Sequence, residues 1–262
     1  MSCGGIPEID LGEFGSQVQA GLRGRRYPMN GMMELTERCN LGCVHCYINQ
    51  PAGSRKARES ELSTAEVKGI LNQAAEAGCL YMTFSGGEVF LREDFLDIYL
   101  HARRLGILVS IFTNATMITP KIADFLADVR PHMVDITLYG ATKETYEKVT
   151  GVPGSYERCL RGIQLLRDRG IRVFLKTMVL SVNYAELAQM RAMAKEWGLE
   201  FRYDEQLWPR QDGGTQPYAV QLSQDEILAI DFTDSERAKE WVKVADELAG
   251  KKTRAKYVYS CG

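Results

Sequence analysis

The chain has 262 residues, 45% of them apolar and 25% charged, with a formal net charge of -2. That composition describes a globular protein with one large core, and the near-neutral charge gives no electrostatic reason to expect nucleic acid or an anionic membrane surface as partner. No stretch approaches the ~20 consecutive apolar residues of a membrane span, residues 1–28 lack the apolar segment of a signal peptide, and seven cysteines argue against a disulfide framework, so a cytoplasmic, reducing location is expected.

Residues 1–28 read as an N-terminal arm whose basic run, Arg23 to Arg26, is a solvated end. From Met29 onward, short apolar or β-branched runs alternate with helical patterns. The runs expected to be strands cover 29–36, 79–86, 107–114, 133–140, 171–180 and 199–208. Helices are expected over 63–77, 93–105, 120–129, 155–169 and 184–197. Ser63 with Glu66 spells a capping box, Pro120 suits a first turn, and Gly106, Gly170 and Gly198 stand where helices end.

This βα alternation implies a parallel sheet with right-handed crossovers. At ~30 residues per unit it matches the repeat of a (β/α)8 barrel with two units missing, so the expected fold is α/β, an open partial (β/α)6 barrel over residues 29–210. A doubly wound sheet is the alternative, disfavoured because no GxGxxG follows the first strand. Residues 211–262 read as a turn-rich loop, an amphipathic helix over 234–249 and a strand-like "YVYSCG" that looks cut off.

Unusual residues gather at the expected C-terminal ends of strands. After the first strand, "TERCNLGCVHCY" places Cys39, Cys43 and Cys46 in the pattern CxxxCxxC. Zinc would favour paired CxxC knuckles or a histidine such as His45 in a closed tetrahedron, whereas three thiolates at irregular spacing suit three corners of a [4Fe–4S] cube with one iron open. After the second strand, "SGGE" supplies Gly86 and Gly87, which allow close backbone approach, and Glu88, a carboxylate for a cation.

Together these motifs resemble the radical S-adenosylmethionine (SAM) enzymes, and the resemblance runs from about residue 29 to 208. It implies a partial barrel in which the amino and carboxylate groups of SAM chelate the open iron. The cofactors would be a [4Fe–4S] cluster and SAM, whose reductive cleavage gives a 5'-deoxyadenosyl radical that abstracts hydrogen from a substrate. By the same analogy Gly86, Gly87 and Glu88 hold the methionine amino group and His45 lies near the adenine. "FTNATMIT" and "DITLYG" resemble segments of the branch with SPASM or twitch extensions, which makes Asn114 and Thr137 cofactor-contact candidates, against plain strand-end hydrogen bonding. Two positions depart from that branch: Ala115 stands where glycine is usual, and Tyr139 replaces an aspartate. "YVYSCG" resembles the start of a SPASM domain, with Cys261 as an orphan first ligand or merely a terminal cysteine.

Arg202, Asp204 and Arg210 are candidates for the barrel mouth, with surface ion pairs as the plainer reading. Cys79 and Cys159 read as small core residues and Cys3 as incidental. The expected partners are a peptide or small-molecule substrate and an electron donor such as flavodoxin or ferredoxin, in a prokaryotic, reducing or anaerobic cytoplasm. The alternative function is a non-catalytic iron-sulfur electron-transfer or zinc-binding protein, which would have no need of GGE beside the cysteine loop.

Overall fold

The structure is a computed structural model and describes residues 11–21, 27–48, 50–233 and 235–249. Six parallel strands form its sheet: β1 (Asn30–Glu34), β2 (Tyr81–Ser85), β3 (Leu108–Thr113), β4 (Met133–Thr137), β5 (Val173–Met178) and β6 (Glu200–Asp204). Their order in space is their order in sequence, β1-β2-β3-β4-β5-β6. A doubly wound sheet reverses its order at a switch point, so this topology excludes that alternative. β1 and β6 do not pair with each other among the described residues, and the sheet is an open, partial barrel.

Alternation along the strands separates two environments. On β3, Val109 and Ile111 are buried against the helical layer, and on β5 Val173 and Leu175 are. Phe84, Phe95, Ile98 and Tyr99 complete the thickest part of that core, each worth ~1.5–3 kcal/mol relative to exposure. The other strand face points into the barrel and is polar in places. Phe112, Asp135, Phe174 and Glu200 lie in register across β3–β6, and Thr137, Lys176 and Arg202 form the next row toward the strand ends.

The helices begin and end where their capping residues indicate. Ser63 and Glu66 make the reciprocal capping box at the start of Thr64–Glu76, and Thr119 caps Pro120–Asp128 with Pro120 in its first turn. Gly106, Gly170 and Gly198 all take positive φ just past Phe95–Arg104, Ser155–Arg167 and Leu187–Glu196. The helices Leu11–Gly21, Arg55–Glu59, Lys143–Thr150 and Gln224–Thr233 were not among the expected ones; Ser235–Ala249 was. Lys143–Thr150 matters most, because it carries the cysteine loop. Cys3, Cys261 and the "YVYSCG" run lie outside the described residues. No described helix is long and apolar enough to cross a membrane.

Candidate functional site

The loop that leaves β1 is fixed by its surroundings rather than by any repeating structure of its own. Arg38 forks onto Glu61, with Nε and Nη2 donating at 2.7 and 3.1 Å. Residues Arg38–Cys39 bridge in parallel to Gln50–Pro51. Further along, the Gly42 amide donates to Thr150 O at 2.8 Å and the Val44 amide to Val149 O at 3.0 Å, both carbonyls at the end of Lys143–Thr150. The loop is thus pinned at both ends and in the middle, and Cys39, Cys43 and Cys46 are all presented to one cavity at the C-terminal ends of the strands.

That cavity, about 470 Å³, is also lined by Gly86, Gly87, His45, Asn114 and Thr137. Three further stretches of sequence, at the ends of β2, β3 and β4, thereby meet the cysteine loop. Cys79 and Cys159 are buried in the core, away from it.

The thiols are poor acids in this setting. Burial pushes Cys39 up to about 12 and Cys43 well above the ordinary thiol value, and the charges of neighbouring thiols add to it. A metal centre supplies the positive charge that would make them thiolates. Among the described residues no three Cys, His, Asp or Glu side chains converge on a single-ion site. A zinc tetrahedron requires that convergence at about 2.3 Å per sulfur, whereas a cubane takes each thiolate at a different iron. Three thiols presented to one cavity fit a cluster, in which each would hold a different iron. His45 is buried and burial lowers it to about 4, so it is neutral; its Nδ1 has no hydrogen-bond partner among the described residues, an orphaned polar atom of the kind a bound ligand satisfies.

The paired glycines have a reason beyond ligand approach. Gly86 adopts φ +134°, and a Cβ on it would overlap the Thr36 carbonyl; a Cβ on Gly87 would overlap the Arg38 carbonyl. In that close contact the Gly87 amide donates to Thr36 O at 2.6 Å and the Glu88 amide to Arg38 O at 2.9 Å. The GG turn is therefore the backbone clasp of the cysteine loop.

Glu88 is fully buried and is not among the residues lining the cavity. Its carboxylate accepts from the Thr113 hydroxyl at 2.8 and 2.9 Å, from the Asn114 amide at 2.8 Å and from the Phe90 amide at 3.2 Å. Burial pushes it up to about 7, against the pull of those donors. The side chain expected to meet an ammonium group instead ties the GG turn to the end of β3.

Asn114, at that strand end, directs Nδ2 toward Cys39 Sγ at 3.8 Å and Asn40 Oδ1 at 3.0 Å, while its Oδ1 accepts from the Thr116 amide and hydroxyl. Ala115 holds the left-handed φ of +59° that glycine adopts more cheaply, and a Cβ on Gly162 would overlap its carbonyl. Tyr139, visible in the sequence only as a departure, lines the cavity edge-on to His45 at 5.0 Å and hydrogen-bonds Cys43 and Thr137. Arg202 and Asp204 do line the cavity; Arg210 does not, and pairs with Asp212 at 3.4 Å in the following loop. Lys176 and Phe112 also line it and were not anticipated, although one lysine inside the apolar run "VFLKTM" was a signal.

Known proteins place this arrangement. The chain is 34% identical over 165 residues to the AdoMet-dependent heme synthase of Methanosarcina barkeri, covering 63% of this chain and 46% of that protein. It is 33% identical over 171 residues to the PqqA peptide cyclase of Gluconobacter oxydans, covering 65% and 47%. With the mycofactocin maturase of Mycobacterium tuberculosis it shares 33% identity over 181 residues, covering 69% and 45%. The chain thus spans a little under half the length of these relatives. Its fold matches Streptococcus suis SuiB bound to S-adenosylmethionine with a TM-score of 0.66 at 16% identity, covering 94% of this chain and 56% of that one. The Radical SAM superfamily profile matches residues 33–194, a span that holds the end of β1, the cysteine triad, the glycine clasp and β2 to β5, and the chain belongs to that superfamily, whose members use a [4Fe–4S] cluster and SAM.

Proposed function

We propose that this chain is the catalytic core of a radical SAM enzyme that abstracts hydrogen from a peptide or protein side chain. The observation that carries the reading is the single cavity onto which three cysteines and the Gly86–Gly87 turn open together. Cys39, Cys43 and Cys46 would each hold one iron. The carbonyls of the Gly86–Gly87 turn would receive the methionine ammonium, with Glu88 holding that turn from behind. His45, Asn114 and Thr137 would line the rest of the cofactor. When bound, the cluster and SAM supply the reductive carbon–sulfur cleavage and the hydrogen-abstracting radical, and the protein's share is placement and exclusion of water.

A peptide substrate is supported by the PqqA cyclase and maturase relatives and by the similarity to SuiB bound to its precursor peptide, with a TM-score of 0.60. The cavity mouth adds exposed Trp208 and Met32, an apolar rim suited to an extended chain. The heme synthase relative favours a small-molecule substrate as the second reading. An electron donor of the flavodoxin or ferredoxin type, a cytoplasmic location and a core bounded at 29–210 belong to the same proposal.

Anaerobic reconstitution tests it. The protein should take up about four irons and convert SAM to 5'-deoxyadenosine with dithionite, and Cys43→Ala should do neither. A Cys43→Ala variant as active as the wild type would overturn the reading.

A further inference from the structure

Inside the barrel, one row from the cysteine-lined end, two cations face the cavity side by side. Lys176 on β5 stands in register with Thr137 on β4 and with Arg202 on β6. Arg202 donates from Nη2 to Asp135 Oδ1 at 2.8 Å, and its guanidinium lies 5.2 Å from the Phe174 ring. Lys176 has no hydrogen-bond acceptor among the described residues; its ammonium sits 2.9 Å from the centroid of the Phe112 ring. An aromatic face is a weak substitute for the water or carboxylate that an ammonium otherwise takes.

The charges here are unevenly partnered. Lys176 and Arg202 bring two positive charges, and Asp135, 1% exposed, brings one negative charge. Asp204, one row further along, accepts from the Gln206 amide at 3.0 Å. Asp135 and Asp204 match the two cations in number, but among the described residues neither carboxylate pairs with Lys176, whose ammonium is left against an aromatic ring beside the cavity. Burial lowers Lys176 to about 7, with Asp135 acting in the opposite sense and Arg202 in the same one, which is what a cation lacking its counter-ion shows.

We propose that Lys176 and Arg202 form a carboxylate-binding cradle that holds the substrate by an acidic group next to the hydrogen to be abstracted. The one ammonium without a carboxylate partner, beside the Arg202 fork, suits one carboxylate. Arg202 offers the fork that binds planar carboxylates, and Asp135 and the two phenylalanine rings hold the cations in place. The inference rests on the radical SAM reading and adds a substrate class to it: peptides whose modified segment carries an acidic side chain or a free C-terminus.

The test uses reconstituted protein saturated with SAM. Ligand-observed NMR titration compares N-acetylglutamate α-amide, N-acetylglutamine with a free α-carboxylate, the neutral N-acetylglutamine α-amide, and inorganic phosphate. One of the two carboxylate probes is expected to bind at least tenfold tighter than the neutral one, which is ~1.4 kcal/mol, and which one it is identifies side chain or C-terminus. Lys176→Met should abolish that preference and Lys176→Arg should keep most of it. Equal binding of the neutral probe, stronger binding of phosphate, or a loss of SAM affinity in Lys176→Met that matches the loss of carboxylate affinity would each overturn the proposal. Failure of the underlying reading looks different, since wild-type protein would then form no 5'-deoxyadenosine.

Discussion

The Glu88 carboxylate and the Asn114 backbone amide meet at 2.8 Å with no solvent around the acid, and this bond connects the GG turn to the side chain that points at Cys39. Glu88→Gln keeps the shape but aims an N–H₂ group at donors, since Phe90 N and Asn114 N address different oxygens. The expected cost is about 1–3 kcal/mol of stability, with reduced iron retention as Asn114 shifts. Urea unfolding and iron content per chain measure the two effects; a variant equal to wild type in both would show that the bond contributes nothing.

The same acid makes stability depend on pH. Its ordinary value is 4.5 and its folded value about 7, so the fold favours the protonated form. That contribution is complete below 4.5 and is lost as pH rises through 7, a difference of roughly 3 kcal/mol at most from ~1.36 kcal/mol per unit. In the iron-free chain, wild type should therefore lose stability relative to Glu88→Gln between about pH 5 and pH 8. Parallel pH profiles of the two proteins would contradict it.

Gly87→Ala should act on the cysteine loop without touching a cysteine. The added Cβ meets the Arg38 carbonyl, which is backbone and cannot swing aside, so the clasp must open and iron incorporation should fall sharply. Gly69→Ala is the control: it lies within Thr64–Glu76 with nothing near its would-be Cβ, and should stabilise by up to ~1 kcal/mol. Iron content and thermal midpoint, compared across the pair, separate a local collision from a general effect of alanine.

The motifs legible in the sequence are those whose chemistry lies within a few residues. CxxxCxxC and SGGE are contiguous, and the six strands announce themselves as apolar runs between helix caps. The helix Lys143–Thr150 escaped because it is short and largely polar: its buried side rests on Tyr146, Val149 and Thr150 alone, too few apolar residues to stand out as a run. Why Gly86 and Gly87 must be glycine is a tertiary fact, set by backbone at residues 36–38 that no local rule brings near. Lys176 and Arg202 become neighbours only through strand register, and the role of Asp135 beside them follows from the same register. Glu88 looked like a ligand contact because a carboxylate at a strand end usually faces a cavity; three donors, the Thr113 hydroxyl and the Asn114 and Phe90 amides, turn it inward.

Tyr139 provides the last prediction. Its ring packs edge-on to His45, and its hydroxyl hydrogen-bonds the Cys43 sulfur and Thr137. Burial and then the neighbouring thiols hold its phenol well above the ordinary value, so it stays a donor at any working pH. A donor to a ligating sulfur stabilises the more negative, reduced state of an iron-sulfur centre. Tyr139→Phe keeps the ring packing and removes only that donor. The expected result is unchanged iron content with a reduction potential lower by on the order of tens of millivolts, and slower 5'-deoxyadenosine formation with a weak reductant than with dithionite. Potentiometric titration followed by electron paramagnetic resonance reads the shift directly, and an unchanged potential would mean that the hydroxyl serves Thr137 alone.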